Sequence, residues 1–446
     1  MICELLKAWE GTLRRRGGET AVAQASDRRS CTFRQLDENA TGWLAAHSSP
    51  AGLAGRSVLF SAPNGIEWFT IFLGLLRAGA TLVPLDPAEP QDAQRRLAEA
   101  LRAAFRWDGS RLVPLPSALR YRQPVRLIKL TSGTNGSPRP LAFTASQLLA
   151  DAGQVTATMG IRPSDLNYAL IPLGHSYGLG NLALPLVAKG VPLVCGAAPL
   201  PHAVADDFQR WRPTVFPCVP AVWRALASSE VDPASLRSLR LAISAGAPLP
   251  AEVAREFVAR FGIRLHNFYG SSETGGISFD RTGASTLAGG VGRALLGVRI
   301  SQLRGERVQV CSAAVFTRAN RTIRGRLGCW TPPDRVTVGA RGELRLAGRR
   351  GAMVKVAGRR VSLTEVELML RRLPGVRDAW VQVGPGPNAV LGAALAADRT
   401  ASQLRAEMLP TTAAWKVPKR WIVLAALPLT ARGKVDTRGL YARLFG

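Results

Sequence analysis

From about residue 57 onward, short runs of aliphatic and β-branched residues alternate with longer stretches of helical character. SVLFSAP at 57–63 leads into EWFTIFLGLLRAG at 67–79 and then ATLVPL at 80–85. The rhythm returns where AVWRALASS (221–229) precedes LRLAIS (239–244), and where AEVAREFVARFG (251–262) precedes IRLHNFYG (263–270). Such an order lays helices over the faces of a largely parallel sheet, so an α/β fold of stacked layers is expected. At 446 residues the chain exceeds one compact core, and its length suggests about two to three domains. Beyond about residue 300 the texture turns strand-rich and is punctuated by arginine and glycine. After Arg350 comes a unit that could fold alone: VKVAGRRVS, the helical LTEVELMLRRL, strands DAWVQVG and AVLGAALAA, the helical ASQLRAEML and a terminal WIVLAAL. A cut near 348–352 gives a large α/β body of several subdomains, residues 1–348, and a small α+β domain, residues 349–446.

Charge narrows the function classes. A net +27 suggests a polyanion partner, since basic surfaces bind polyanions by releasing counterions. The positive charge is mostly arginine, scattered along the chain. Runs such as Arg14-Arg15-Arg16 are short and lack the interleaved aromatics of a strand-binding groove. A solvated basic surface is therefore expected, with no specific nucleic-acid partner. The six cysteines show no close pairing and only four histidines could help them, which speaks against a zinc site and against a disulfide framework. The amino terminus carries Glu4 and lacks a signal-peptide pattern, and the most apolar stretches are broken by Arg77 and Lys189. A cytoplasmic protein is expected, with peripheral membrane contact left open.

The strongest local signal is LTSGTNGSPR at 130–139, directly after the apolar VRLIKL. Glycine lets a main chain approach closely, and a run of N–H and hydroxyl groups can wrap phosphate oxygens. The G-K-[ST] ending of a Walker loop is missing. This segment is one of an ordered set: TFRQLDENA (32–40), RAGATLVPLDP (77–87), IPLGHSYGLG (171–180), SAGAPLP (244–250), NFYGSSETGG (267–276), VGRALLGV (291–298), GELRLAGRR (342–350), KVAGRRVSLTEVE (355–367) and LPLTARGKVDTRGL (427–440). In this order, over nearly the whole chain, they resemble the motifs of the adenylate-forming superfamily of acyl- and aryl-CoA ligases, adenylation domains and luciferases.

The resemblance implies a role for each motif. Thr131, Ser132, Gly133, Thr134 and Gly136 would wrap the ATP phosphates. Gly246 and Ala247 would line one face of the adenine and Tyr269 the other, with Asn267 and Gly270 completing the set. Ser272 stands where the family generally has threonine, its hydroxyl within reach of the α-phosphate. Glu273 would hold Mg²⁺, a hard cation that takes one or two carboxylates plus substrate phosphates. Asp334 would accept hydrogen bonds from the ribose hydroxyls, although Pro332-Pro333 replaces the usual Thr-Gly and stiffens the backbone. Arg349 would lie at the domain junction and reach the ribose or phosphates. Lys434 would stabilise the charge that spreads as a carboxylate attacks the α-phosphorus. His175 would gate the passage between acyl pocket and thiol tunnel, and no aspartate stands near it to hold an α-amino group, which argues against an amino-acid-activating domain. Lys355 and Gly358 would line the tunnel after the small domain, a mobile cap, swings about a hinge at Ala352.

The implied reaction uses ATP and Mg²⁺ to convert a carboxylic acid to its acyl-adenylate. The acyl group then passes to a thiol, that of CoA or of an acyl carrier protein. The apolar segment after His175 suits a fatty or other apolar acid. An aryl or succinylbenzoate-type acid:CoA ligase is the alternative within the fold. A basic polyanion-binding protein and a non-catalytic relative are the alternatives of a different class.

Overall fold

The computed structural model describes residues 3–47, 52–87, 89, 91–116, 125–131, 139–316, 327–349, 353–356, 359–385, 390–410, 412, 414–430 and 434–446. Two compact units emerge. The larger comprises Met1–Leu303, Val308–Pro332 and Val338–Arg345; the smaller comprises Arg304–Arg307, Pro333–Thr337 and Leu346–Gly446. The smaller unit thus takes in two short segments from before residue 346, and Asp334 lies in one of them.

Fifteen strands build the two large sheets of the first unit: β1 (Thr20–Gln24), β2 (Ser30–Thr32), β3 (Ser57–Ser61), β4 (Thr81–Leu85), β5 (Phe105–Trp107), β6 (Leu112–Pro114), β7 (Val125–Thr131), β8 (Arg139–Thr144), β9 (Asn167–Ala169), β10 (Leu193–Cys195), β11 (Val215–Cys218), β12 (Leu241–Ser244), β13 (Leu265–Ser271), β14 (Gly275–Phe279) and β15 (Arg293–Ala294). One sheet has the order β15-β14-β13-β12-β11-β9-β10-β1-β2, the other β6-β5-β3-β4-β7-β8. The run from β13 to β1 is parallel throughout, and antiparallel strands close both edges. Parallel strands covered on both faces read as continuous apolar runs, as every residue of β4 and β12 is buried. The helix Ile66–Arg77 matches its apolar pattern and lies against the helix Phe33–His47. Gly74 permits that approach, since a Cβ there would stand 2.7 Å from the Trp43 ring. The helix Ala145–Met159 starts in a capping box between Thr144 and Gln147 and stops at left-handed Gly160.

The smaller unit is α+β. Val376–Val383 pairs antiparallel with the wholly buried Leu391–Ala397, which pairs parallel with Arg420–Leu424. The helix Leu363–Arg371 covers one face. The other is covered by Thr437–Phe445, a helix that no periodicity in the sequence had marked, started by Asp436 accepting the Gly439 N–H.

One expectation is overturned. Cys311 and Cys329 form a disulfide across the antiparallel strands Arg307–Ser312 and Gly328–Trp330. Strand register brings together cysteines that are separated by 18 positions, so close spacing in sequence was the wrong criterion. Among the described residues no group of histidine, cysteine, aspartate or glutamate could hold a metal ion as a cluster, and no helix is long and apolar enough to cross a membrane.

Candidate active site

In the parallel sheet, β9 has β10 on one side and β11 on the other, so the strand order reverses there. A crevice outside the carboxyl ends of the strands at such a reversal is the expected binding place in an open α/β sheet. The predicted site residues of the larger unit gather around these ends. The loop after β9 carries His175, the turn after β12 carries Gly246 and Ala247, and β13 and its turn carry Asn267, Tyr269, Gly270, Ser272 and Glu273.

Three contacts draw the loop after β9 over the strand ends. The Tyr177 hydroxyl lies 3.5 Å from the carbonyl oxygen of Cys218 and 3.3 Å from that of Ile243, spanning β11 and β12. Burial pushes its pKa well above the ordinary phenol value, so it stays a proton donor. The Ser176 hydroxyl donates to Ser272 Oγ at 2.8 Å, joining this loop to the β13–β14 turn. His175 Nε2 lies 2.8 Å from Asp86 Oδ2. Asp86 directly follows β4 of the other sheet, so the ends of both sheets meet here. Gly174 makes room for this, because a Cβ there would come within 2.6 Å of the Leu85 carbonyl oxygen.

The β13–β14 turn is held from several sides. Thr274 N–H donates to Ser271, Phe316 N–H donates to the Glu273 carbonyl at 2.8 Å, and left-handed Gly275 starts the return strand. Tyr269 is buried on β13 opposite Ser278. Asn267 donates an Nδ2–H to the Gly290 carbonyl at 2.8 Å, which anchors β13. Gly246 is left-handed, with φ 88°, and Ala247 beside it is exposed. The Glu273 side chain is half-exposed and makes no hydrogen bond or ion pair with the described residues, so its oxygens are available. A half-exposed hard-oxygen carboxylate of this kind fits Mg²⁺.

The remaining candidates lie elsewhere or outside the described residues. Thr131 ends β7, while Ser132, Gly133, Thr134 and Gly136 fall outside. In the smaller unit, half-buried Asp334 starts a strand, Arg349 ends the next, and Lys355 lies in the strand Met353–Val356. Gly358 and the hinge residue Ala352 fall outside. Lys434 is exposed, and its carbonyl accepts the Thr430 N–H at 2.7 Å.

Residues 9–107 and 116–311 match the AMP-binding enzyme family. The chain belongs to that family. Among curated relatives of this AMP-binding enzyme, a benzoate–CoA ligase of Thauera aromatica is 28% identical over 69% of the chain, and the match spans 63% of that relative's length. A feruloyl-CoA synthase of an Amycolatopsis species is also 28% identical, over 72% of the chain and 70% of the relative. The ATP-bound structure of MatB from Rhodopseudomonas palustris superposes with a TM-score of 0.80 at 20% identity, covering 99% of each chain.

Two features of this AMP-binding enzyme went unread in its sequence. No aspartate stands near His175 along the chain, yet Asp86 contacts it across 89 positions. The signal was present in PLDP, where a carboxylate directly follows a strand buried on both faces. Tyr177 and Ser176 were quoted within their motif but assigned no role, because only the fold shows which carbonyls and hydroxyls they meet.

Proposed function

We propose that this AMP-binding enzyme is an aryl acid:CoA ligase. The supporting observation is the joining of both sheets' strand ends around His175, Ser176, Tyr177 and Ser272. In the first half-reaction a carboxylate oxygen of the acid bonds to the α-phosphorus of ATP, and the bond to pyrophosphate breaks. Tyr269 and the Gly246–Ala247 turn hold the adenine, and the Ser272 hydroxyl steadies the α-phosphate. Glu273 would hold Mg²⁺, which would supply charge neutralisation at the phosphate oxygens. Asp334 orients the ribose, and Lys434 offsets the charge that accumulates in line. In the second half-reaction the thiol sulfur of CoA bonds to the acyl carbon and AMP leaves, with the 349–446 domain turned so that Lys355 and Gly358 line the thiol's path.

The fatty-acid reading gives way to the aryl one for two reasons. The named relatives act on benzoate and on an aromatic feruloyl group. In addition, the rings of Tyr177 and Phe268 lie 5.9 Å apart beside the His175 loop, offering an aromatic wall to a flat substrate. CoA is preferred to a carrier protein as acceptor because both relatives are named for CoA chemistry.

The test is ATP–pyrophosphate exchange over benzoates, hydroxycinnamates and straight-chain acids, followed by CoA thioester formation on the best acid. Aryl acids are expected to exceed straight-chain acids by about tenfold or more, the discrimination that pocket shape can supply. Preference for octanoate or longer chains would overturn the aryl assignment. Exchange with no acid at all would overturn the enzyme.

A further inference from the structure

Beneath the strand ends lie two charged side chains that the reaction above leaves without a task. Lys129 and Asp151 are 4% and 5% exposed, with Nζ 3.6 Å from Oδ2. Lys129 is the one buried lysine or arginine among the described residues. Its ammonium also sits 4.5 Å over the Phe143 ring. The other carboxylate oxygen, Asp151 Oδ1, accepts the Gly276 N–H at 3.1 Å. Glycine stands where the backbone crowds this carboxylate: a Cβ at Gly275 would fall 2.3 Å from Oδ1, and one at Gly180 would fall 3.2 Å from Oδ2. Three segments are therefore shaped around a single buried charge.

A buried ion pair is weak evidence for stability, because desolvation offsets the attraction and apolar residues of similar size often serve as well. Its placement suggests another purpose. Lys129 stands two residues before Thr131, at the end of β7, where the phosphate loop begins. Gly275 stands two residues after Glu273, where the return strand leaves the turn. The pair connects these two segments through side chains, since β7 and β14 belong to different sheets.

We propose that Lys129 and Asp151 form a positioning pair for the nucleotide site, holding the start of the phosphate loop at a fixed separation from the Ser272–Glu273 turn. This rests on the ATP-dependent reading. Neither residue touches the reacting atoms; both act through the segments they join. The pair is expected to govern affinity for the magnesium–nucleotide complex beyond any effect on folding.

The experiment uses the full chain and measures binding of a non-hydrolysable ATP analogue with Mg²⁺ by calorimetry, alongside the thermal midpoint. Lys129→Met should weaken binding by about tenfold or more and lower the midpoint, since misplaced binding groups are costly. Asp151→Asn keeps an acceptor for Gly276 N–H and removes only the charge. The double variant Lys129→Met/Asp151→Asn should regain most of the midpoint, because no unpaired charge stays buried. Its binding should remain weaker than wild type by about fivefold or more, because the tie is absent. Arg240→Met breaks another ion pair of the same unit, with Asp165, and should lower the midpoint at unchanged affinity. Recovery of affinity together with the midpoint in the double variant would reduce the pair to a structural element and overturn the proposal. Wild-type affinity in Lys129→Met would do the same. If Lys129→Met fails to fold, the double variant alone decides. A wild-type chain that binds no analogue removes the ATP-dependent function and this proposal together, whereas the other two outcomes leave that function standing.

Discussion

The hairpin that carries Tyr269, Ser272 and Glu273 and the loop that carries Lys434 are held by opposite means. The hairpin rises from a buried parallel strand. Its base is fixed by Asn267 on the Gly290 carbonyl, and its tip by Phe316 N–H on Glu273 and by Ser176 on Ser272. In the smaller unit Lys434 is exposed, its carbonyl accepts the Thr430 N–H, and Leu429 bridges to Val435. Under the proposed function the contrast follows from what each would do. Groups that bind a nucleotide need fixed separations, which depth and dense packing provide. In that reading, a lysine used in one half-reaction and withdrawn for the next is best carried on an exposed segment.

The largest expected effect strikes the foundation of the first region. Trp223 is wholly buried, with Phe216 at 4.8 Å and Phe257 at 5.2 Å on either side, and it donates to the Ile243 carbonyl in β12. Trp223→Ala should destabilise the larger unit by about 3–5 kcal/mol through the cavity it leaves. Chemical denaturation followed by hydrogen exchange should show the loss among amides of β11, β12 and β13, with protection in Leu391–Ala397 unaltered. Equal loss in both units would mean that they do not respond separately, and the contrast would fail.

Next is Lys434→Ala. The side chain is exposed, so the thermal midpoint should move little, within the about 0.5 kcal/mol usual for surface substitutions. Pyrophosphate exchange should fall by about a hundredfold or more, the cost of one electrostatic donor in a transition state. Thioester formation from pre-formed acyl-adenylate should be much less affected, because that step does not involve attack on phosphorus. Near-normal exchange would leave the surface loop without a role in the chemistry.

The same contrast accounts for what could be read from the chain alone. The helix Ile66–Arg77, the strands around it and the β12–β13 pair were legible because burial on both faces writes long apolar runs into the sequence. The glycine-rich motifs were legible because close backbone approach leaves few alternatives, as at Gly174 against Leu85. Asp86, Lys129, Asp151 and the Cys311–Cys329 pair were not, since each acquires its partner from register or from the meeting of two sheets. The membership of Asp334 in the smaller unit was hidden for the same reason, because the strand Asp334–Val338 pairs with Leu344–Arg349 and not with its sequence neighbours of the body. The terminal helix Thr437–Phe445 was missed because Gly439 and the scattered arginines blur its apolar stripe of Leu440 and Leu444.

The smallest expected effect separates the two units by pH. His266 lies at the base of the β13–β14 hairpin, and burial pulls its pKa below 6.5 even though Nδ1 lies 2.7 Å from the Asp280 carbonyl oxygen. The unfolded chain therefore binds a proton more readily than the native larger unit, and stability falls as pH drops through 6.5. Glu367 in the smaller unit behaves in the opposite sense. Burial raises its pKa above 4.5, only partly opposed by the Val381 N–H it accepts, so the native state holds the proton more tightly. Its contribution is greatest at acid pH and declines as pH rises through 4.5 toward the folded value. Between about pH 7.5 and 4.5, amides of β13 should lose protection on acidification while those of Leu391–Ala397 gain it once the rate's own pH dependence is removed. His266→Gln should flatten the first trend and Glu367→Gln the second, each without touching the other. Parallel slopes in the two sets of amides, or slopes indifferent to both substitutions, would show that the two regions share one electrostatic response and that the difference between them lies in packing alone.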